Sequence, residues 1–411
     1  MRSNRELERD QLLLLAARFF RSVAQGVLAA DFALYLRASG WSGAHIGSVL
    51  AAGLALAVVL TLAAAMSDRW GRKPFLLGYE TLYVLSCAAA TVDGSATVIA
   101  AAAVVGSFGR GANGSAGPFG AIENAWLTQG VRDDRRLTHV LGLNSSLGFV
   151  GMALGAALGA LPGLGHHGEP IPPASYGVIF PLALTFALAC LACVALARDR
   201  YALETAPTAP DEERSRRRDE NRNLRHLGLV NLLQGAGIGL SGPLVSYWFA
   251  VRFGLGPAQI APLMAGGFVA AALSAQLGTR LSARHGLMGT IVPLRATALL
   301  ALTLMPLAPS PTWAMAAYLL NKTLNRSTNG LRATVTAKLV RNHRRGFAGA
   351  VTAISRQIPR SAGPIAAGLL MDAGWLATPF LLGATLQAAY LYLYQARFRA
   401  ATSPEASPAR T

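Results

Sequence analysis

Apolar residues fall in twelve long runs separated by short polar blocks: 12–36, 45–66, 75–92, 96–128, 138–161, 175–197, 226–250, 259–280, 289–307, 312–338, 346–370 and 378–396. Most come close to the ~20 residues that a helix needs to cross a bilayer. The fourth and tenth are longer and are expected to protrude into the cytoplasm. The pattern predicts an all-α polytopic membrane protein with twelve transmembrane helices. One polar block is different in kind: from Tyr201 to Arg225 it is charged, carries Pro207 and Pro210, and shows no apolar period. It reads as a linker, dividing the chain into an N-terminal six-helix half (1–198), a charged cytoplasmic linker (199–225) and a C-terminal six-helix half (226–411).

Composition agrees with that picture, with 53% hydrophobic and 14% charged residues. The net charge of +17 raises nucleic acid as a partner, but its distribution removes it. Arginines and lysines sit in alternate blocks between the runs, including Arg69, Arg72 and Lys73, Arg132, Arg135 and Arg136, and Arg341, Arg344 and Arg345, while the intervening turns carry Arg37 and Arg252. This is the positive-inside pattern, which places both termini in the cytoplasm and makes the charge a report of topology. The first run contains Arg18 and Arg21 and is followed by no small-residue cleavage site, so it is read as a retained span. Cys87, Cys190 and Cys193 all lie inside runs, which excludes a disulfide framework; the Cys190/Cys193 spacing is read as small packing residues.

Between the second and third runs stands Ser67-Asp68-Arg69-Trp70-Gly71-Arg72-Lys73-Pro74. It resembles the loop joining the second and third helices of the major facilitator superfamily, G-x-x-x-D-R-x-G-R-R/K, with Ala64 at the first glycine. The two halves also resemble each other. Val131-Arg-Asp-Asp-Arg135-Arg136 matches Val340-Arg-Asn-His-Arg344-Arg345, and Ser282-Ala283-Arg284-His285-Gly286 is a decayed copy of the Asp68 turn. A duplicated six-helix half with a central linker is the family's architecture. Two further patterns are similar to the family's. Arg110-Gly-Ala-Asn113-Gly114 resembles R-x-x-Q-G, whose arginine the family implicates in proton coupling. Gly142, Gly151, Gly155 and Gly159 stand at the spacing of the glycines in the antiporter motif of the drug:proton antiporter branch, with Ala156 at its proline and Ala160 at its last glycine. Ordinary close helix packing explains such a row equally.

The resemblance implies a secondary active transporter working by alternating access. Asp68, Arg69, Gly71, Arg72 and Lys73 would form the conformational gate, with Asp68 meeting the start of the eleventh helix near Gly346. The first, fourth, seventh and tenth helices would line the cavity, bringing together Arg110, Asn113, Asn231, Gln234, Lys322, Asn325 and Arg326.

Charges within the bilayer cost ~2.5 to 3.5 kcal/mol each even on the lenient insertion scale, so each is a candidate site. The basic set is Arg18, Arg21, Arg110, Arg295, Lys322, Arg326, Arg356 and Arg360. The acids are Asp31, Glu80 and Glu123, all in the first half, and from Glu220 to Glu405 the one intervening acid is Asp372. Lys322 and Arg326 share a face of the tenth helix, with Asn321 and Asn325 beside them. That imbalance predicts an electropositive cavity for a negatively charged or strongly polar organic molecule; the plainer reading of such basics is pairing with carbonyls or snorkelling. Arg18, Arg21 and Arg295 are given the plainer reading. For proton coupling, Glu80 and Glu123 are the leading candidates, with an ion pair to the Arg69 and Arg72 loop as the alternative for Glu123. Asp31, near the outer end of the first run, is the third, with an external vestibule as its plainer setting.

No H-E-x-x-H, G-x-S-x-G or P-loop sequence is present, so neither an enzyme nor an ATP-driven pump is expected. The adjacent His166 and His167 are read as a solvated turn, and no metal or other cofactor is expected. The expected partners are a small-molecule substrate, protons and the lipid bilayer, with no nucleic acid and the chain acting as a monomer in a bacterial cytoplasmic (inner) membrane. Proton-coupled efflux is the leading expectation. Uptake of an organic anion by proton symport or exchange, a transceptor and multidrug efflux of cationic amphiphiles are the alternatives.

Overall fold

The structure, a computed structural model, describes residues 9–63, 71–108, 120–128, 134–166, 170–199, 213–339 and 345–398. The described residues are helical with short connections. The first half holds α1 (Arg9–Ala38), α2 (Gly43–Ala63), α3 (Arg72–Val92), α4 (Ala96–Gly106), α5 (Gly120–Leu127), α6 (Asp134–Leu158) and α7 (Ile179–Leu196). The second holds α8 (Glu213–Ser241), α9 (Val245–Phe253), α10 (Pro257–Leu304), α11 (Pro311–Ser327), α12 (Asn329–Lys338), α13 (Arg345–Asp372) and α14 (Thr378–Phe398).

These fourteen helices map onto the twelve predicted runs. The fourth run is α4 and α5, the seventh α8 and α9, and the tenth α11 and α12; the eighth and ninth are both within α10. Forty-eight residues of unbroken helix would extend ~70 Å, more than twice a bilayer core. Gly286, with φ 72° and ψ 173°, breaks α10 into two helices at the predicted turn. Gly71, before α3, has φ 91° and ψ 153°. Both lie in a region that is essentially open to glycine alone, so the decayed copy has kept the backbone of its glycine while Ala283 replaces the acid and the second basic pair is gone. Helix α8 begins at Glu213, inside the stretch read as linker: its Glu, Arg and Asn residues include strong helix formers, and acids at its start suit the helix dipole.

The chain forms two compact units, 1–204 with 242–272, and 205–241 with 273–411. In the first, α1 packs along α6 and α7, α3 along α7 and α4, and α9 against α1. In the second, α8 packs along α13 and α14. The pairings of α1 and of α8 are therefore the same pairings in the two repeats. Each unit has its own apolar core, around Leu14, Tyr79, Trp126 and Val194 in the first and Leu227, Ile291, Val335 and Tyr394 in the second.

Among the described residues, eight stretches are long and apolar enough to cross a membrane by length and composition. Helix α11, at 17 residues, and helix α13, interrupted by Arg356 and Arg360, are not among them. Large apolar side chains such as Leu62, Leu85, Leu273, Leu300 and Leu369 are exposed on the described surface, as a lipid-facing exterior requires.

Candidate functional site

The close approach of α1 and α6 comes from glycine. A Cβ on Gly151 would stand 2.6 Å from the Phe19 carbonyl oxygen, and one on Gly155 would overlap the Val23 carbonyl. Gly26 of α1 faces Met152 and Gly155 in return. Gly142, the first member of the predicted row, has nothing within 4 Å of its Cβ position and takes no part in this crossing. Gly148, outside the row, makes room for the Arg18 guanidinium, whose Nη2 would stand 2.6 Å from a Cβ there. In the second unit, Gly235 and Gly239 of α8 close on the carbonyls of Arg356 and Arg360, and Gly363 of α13 closes on Gly239. Pro364 removes the helical donor for Arg360 O, so that oxygen is free to meet the other helix. The glycine crossing is therefore common to both repeats.

Four elements of the first unit converge on Arg21. Its Nε donates to Glu80 Oε1 across 2.6 Å and its Nη1 to Glu123 Oε2. The Cys190 thiol donates to the other oxygen of Glu80 at 3.3 Å. All four side chains are buried. Arg18 lies one turn before Arg21, buried, with Nε and Nη1 lacking a hydrogen-bond partner among the described residues. Two carboxylates and two guanidiniums thus form an internally neutral cluster. The alternative pairing expected for Glu123 is not seen among the described residues: the Arg72 side chain instead donates to Ala125 O.

Asp31, farther along α1, is fully buried, which replaces the external vestibule expected for it. Neither carboxylate oxygen has a hydrogen-bond partner among the described residues. Gly159 provides its space, since a Cβ there would stand 2.6 Å from Asp31 Oδ2.

The gate turn is described from Gly71 onward; Asp68 and Arg69 lie outside the described residues. A residue that sequence reasoning missed, Asp199, closes the start of α3: its Oδ2 accepts from the backbone N–H groups of Arg72 at 3.1 Å and Lys73 at 3.2 Å. The Lys73 ammonium donates to Ala195 O and Ala197 O at the end of α7.

In the second unit, Lys322 and Arg326 of α11 and Arg356 and Arg360 of α13 lie within electrostatic reach of one another. Lys322 Nζ stands 5.1 Å from the Tyr318 ring centroid, a cation–π contact. Lys322, Asn325 and Arg326 are half-buried. Asn231 and Gln234 of α8 are buried, and Asn231 Nδ2 and Gln234 Oε1 have no hydrogen-bond partner among the described residues. Arg110 and Asn113, expected in the same cavity, lie outside the described residues. No group of three or more His, Cys, Asp or Glu side chains able to hold a metal occurs among the described residues.

The fold is similar to solved structures of known transporters. An auto-inhibited POT family peptide transporter superposes with a TM-score of 0.74 at 12% identity, covering 98% of this chain and 99% of that one. The nucleoside transporter NupG gives 0.69 at 14%, covering 95% and 99%. The human organic anion transporter MFSD10 (TETRAN) gives 0.65 at 17%, covering 95% and 100%. A search of curated proteins by sequence returns no match. The family model described as Major Facilitator Superfamily matches residues 14–364, and the chain, with its duplicated helical halves, belongs to that superfamily.

Proposed function

We propose that this transporter moves a small organic anion across the membrane in exchange for protons, with efflux as its direction, binding the anion through Lys322, Arg326, Arg356 and Arg360. The observation that carries the reading is the set of four mutually repelling cations in a unit whose sequence offers Asp372 as its one acid from Glu220 to Glu405. A bound carboxylate, sulfonate or phosphate relieves that repulsion through charge-assisted hydrogen bonds. Asn325, Asn231 and Gln234 supply neutral polar contacts. The likeness to a human organic anion transporter is in keeping with this substrate class. A cationic amphiphile has no carboxylate to meet among these side chains.

Efflux rests on the glycine row of α6. A second reading, anion uptake with a proton, is favoured by a separate observation: Asp31, Glu80 and Glu123 lie in one unit and Lys322, Arg326, Arg356 and Arg360 in the other. Proton and anion then need not compete for one group, and each neutralises the charge the other brings. In either direction the turn carrying Asp68, Arg69, Gly71, Arg72 and Lys73 serves as the gate.

The deciding experiment is a thermal-stability screen of the purified chain against matched anionic and cationic amphiphiles at two pH values, beside Lys322→Met. Anions are expected to raise Tm in the parent protein, and the substitution is expected to remove that rise. Stabilisation by cations that ignores Lys322 overturns the anion reading. Reconstituted vesicles with an imposed pH gradient then separate exchange from co-transport by the sign of the gradient that drives anion accumulation.

A further inference from the structure

The two repeats carry opposite charges at equivalent buried positions. Glu80 stands nine residues after Gly71, and Arg295 nine after Gly286, the two glycines with the same unusual backbone. Glu123 stands eight residues before Val131, and Arg332 eight before Val340, where the two copies of the matching loop begin. Arg21 stands five residues before Gly26 of the α1 crossing, and Gln234 five before Gly239 of the α8 crossing. The contacts follow the same register. Cys190 of α7 touches Glu80, and Tyr390, ten residues past Phe380 as Cys190 is past Phe180, touches Arg295.

In the first unit the pattern is self-neutralising, because Arg21 bridges two carboxylates and Arg18 lies within electrostatic reach of both. In the second, two guanidiniums occupy the carboxylate positions and a neutral amide occupies the bridging one. Arg295 and Arg332 face the same Tyr390 ring, with Cζ atoms 5.1 and 5.9 Å from its centroid. Arg332 gives one N–H to Tyr390 Oη at 3.1 Å and another to Asn329 Oδ1 at 2.9 Å. Arg295 Nε and Nη2 and Arg332 Nε are buried and lack an acceptor among the described residues. Arg295 is 1% exposed and Arg332 9%.

We propose that Arg295 and Arg332 hold a resident inorganic anion of halide size, which does in the second unit what the Glu80 and Glu123 carboxylates do in the first. The orphaned N–H groups are its donors, and the shared Tyr390 ring keeps both guanidiniums in place. Size and charge select a halide: side chains this deeply buried leave no entry for an organic acid, and a monovalent ion costs less to strip of water than a polyvalent one such as phosphate. This site is separate from the transported anion's side chains and does not depend on the reading given for them.

The test is Tm of the purified full-length chain in sodium gluconate, chloride, bromide and phosphate at one ionic strength. Chloride and bromide are expected to raise Tm by several degrees, saturably, as a ligand of the folded state does, while phosphate leaves it at the gluconate value. Arg295→Glu places a carboxylate where Glu80 stands in the other repeat and is expected to abolish the halide response while keeping Tm in gluconate at or above that of the parent. Arg332→Gln, which leaves one guanidinium, is expected to raise the half-saturating chloride concentration at least tenfold and covers the case in which Arg295→Glu does not fold. Equal Tm in gluconate and chloride overturns the proposal, as does a response to phosphate without one to halide, or a full chloride response in either variant. Lys322→Met is expected to keep the halide response. Its loss there, with Arg295→Glu unaffected, would assign the halide to the transport side chains and overturn this site alone.

Discussion

Arg21 on α1 donates from Nε to Oε1 of Glu80 on α3 across 2.6 Å, with side chains 2% and 0% exposed. Glu123 on α5 takes the second arm of the same guanidinium. A single buried cation thereby ties three helices whose residues are 59 and 102 positions apart in the chain. Removing it strands two buried carboxylates. Arg21→Met is expected to destabilise the protein by about 3 to 5 kcal/mol, read as a fall in the unfolding midpoint in detergent. Adding Glu80→Gln is expected to recover more than 1 kcal/mol against additivity, since the two substitutions share one interaction. Additive losses would show that the three side chains do not act as a unit.

The glycine row of α6 separates into members that touch α1 and one that does not. Gly155→Ala pushes a methyl group into the Val23 carbonyl, a backbone atom that cannot rotate away. About 1 to 3 kcal/mol of destabilisation is expected from such overpacking. Gly142→Ala meets open space and gains up to ~1 kcal/mol of helix propensity. Unfolding midpoints of the two variants in one detergent are expected to move in opposite directions. Equal effects would mean that the α1–α6 crossing does not depend on Gly155.

Much of this architecture is legible in the chain because membrane burial writes it there. Twelve apolar runs, alternate basic blocks and the copied turn are local patterns, and Gly286 is found from the repeat alone. The partners of the buried charges are not local. Glu123 can be placed on a helix from the sequence but not assigned to Arg21, since that pairing depends on how α1, α3 and α5 meet; Arg21 taken by itself reads as a side chain that pairs with carbonyls or snorkels. Cys190 taken by itself reads as a small packing residue, because a thiol's role as donor depends on the carboxylate beside it. The repeat register holds one further signal: carried from the two turns onto Glu80 and Glu123, it lands on Arg295 and Arg332.

Asp199 shows the same dependence on a distant partner at lower cost. It accepts from two backbone N–H groups at the start of α3, where the helix leaves donors unsatisfied and its dipole favours a negative charge. Asp199→Ala is expected to cost about 1 kcal/mol, the usual loss on removing such a cap. Asp199→Asn is expected to cost less, because the amide oxygen still accepts. Differential unfolding of the two variants checks this, and equal losses would assign the effect to charge rather than to the hydrogen bonds.

Asp31 differs from Glu80 and Glu123 in having no donor for either oxygen among the described residues, although it is equally buried. The glutamates are held by Arg21, so a proton arriving there must first break an ion pair. A proton arriving at Asp31 breaks nothing and removes an uncompensated charge. On the proton exchange proposed above, this contrast favours Asp31 as the group that takes up the proton, with Glu80 and Glu123 holding the first unit together. Asp31→Asn keeps the shape of a protonated carboxyl, so stability is expected to change by less than ~1 kcal/mol, the range of substitutions that break no partner. Transport driven by a pH gradient is expected to be lost in this variant, while anion binding measured by Tm is retained. Glu80→Gln is expected to behave in the opposite way, losing stability while the protein that remains folded still responds to the gradient. Gradient-driven transport that survives Asp31→Asn and disappears with Glu80→Gln would move the proton to the Arg21 cluster.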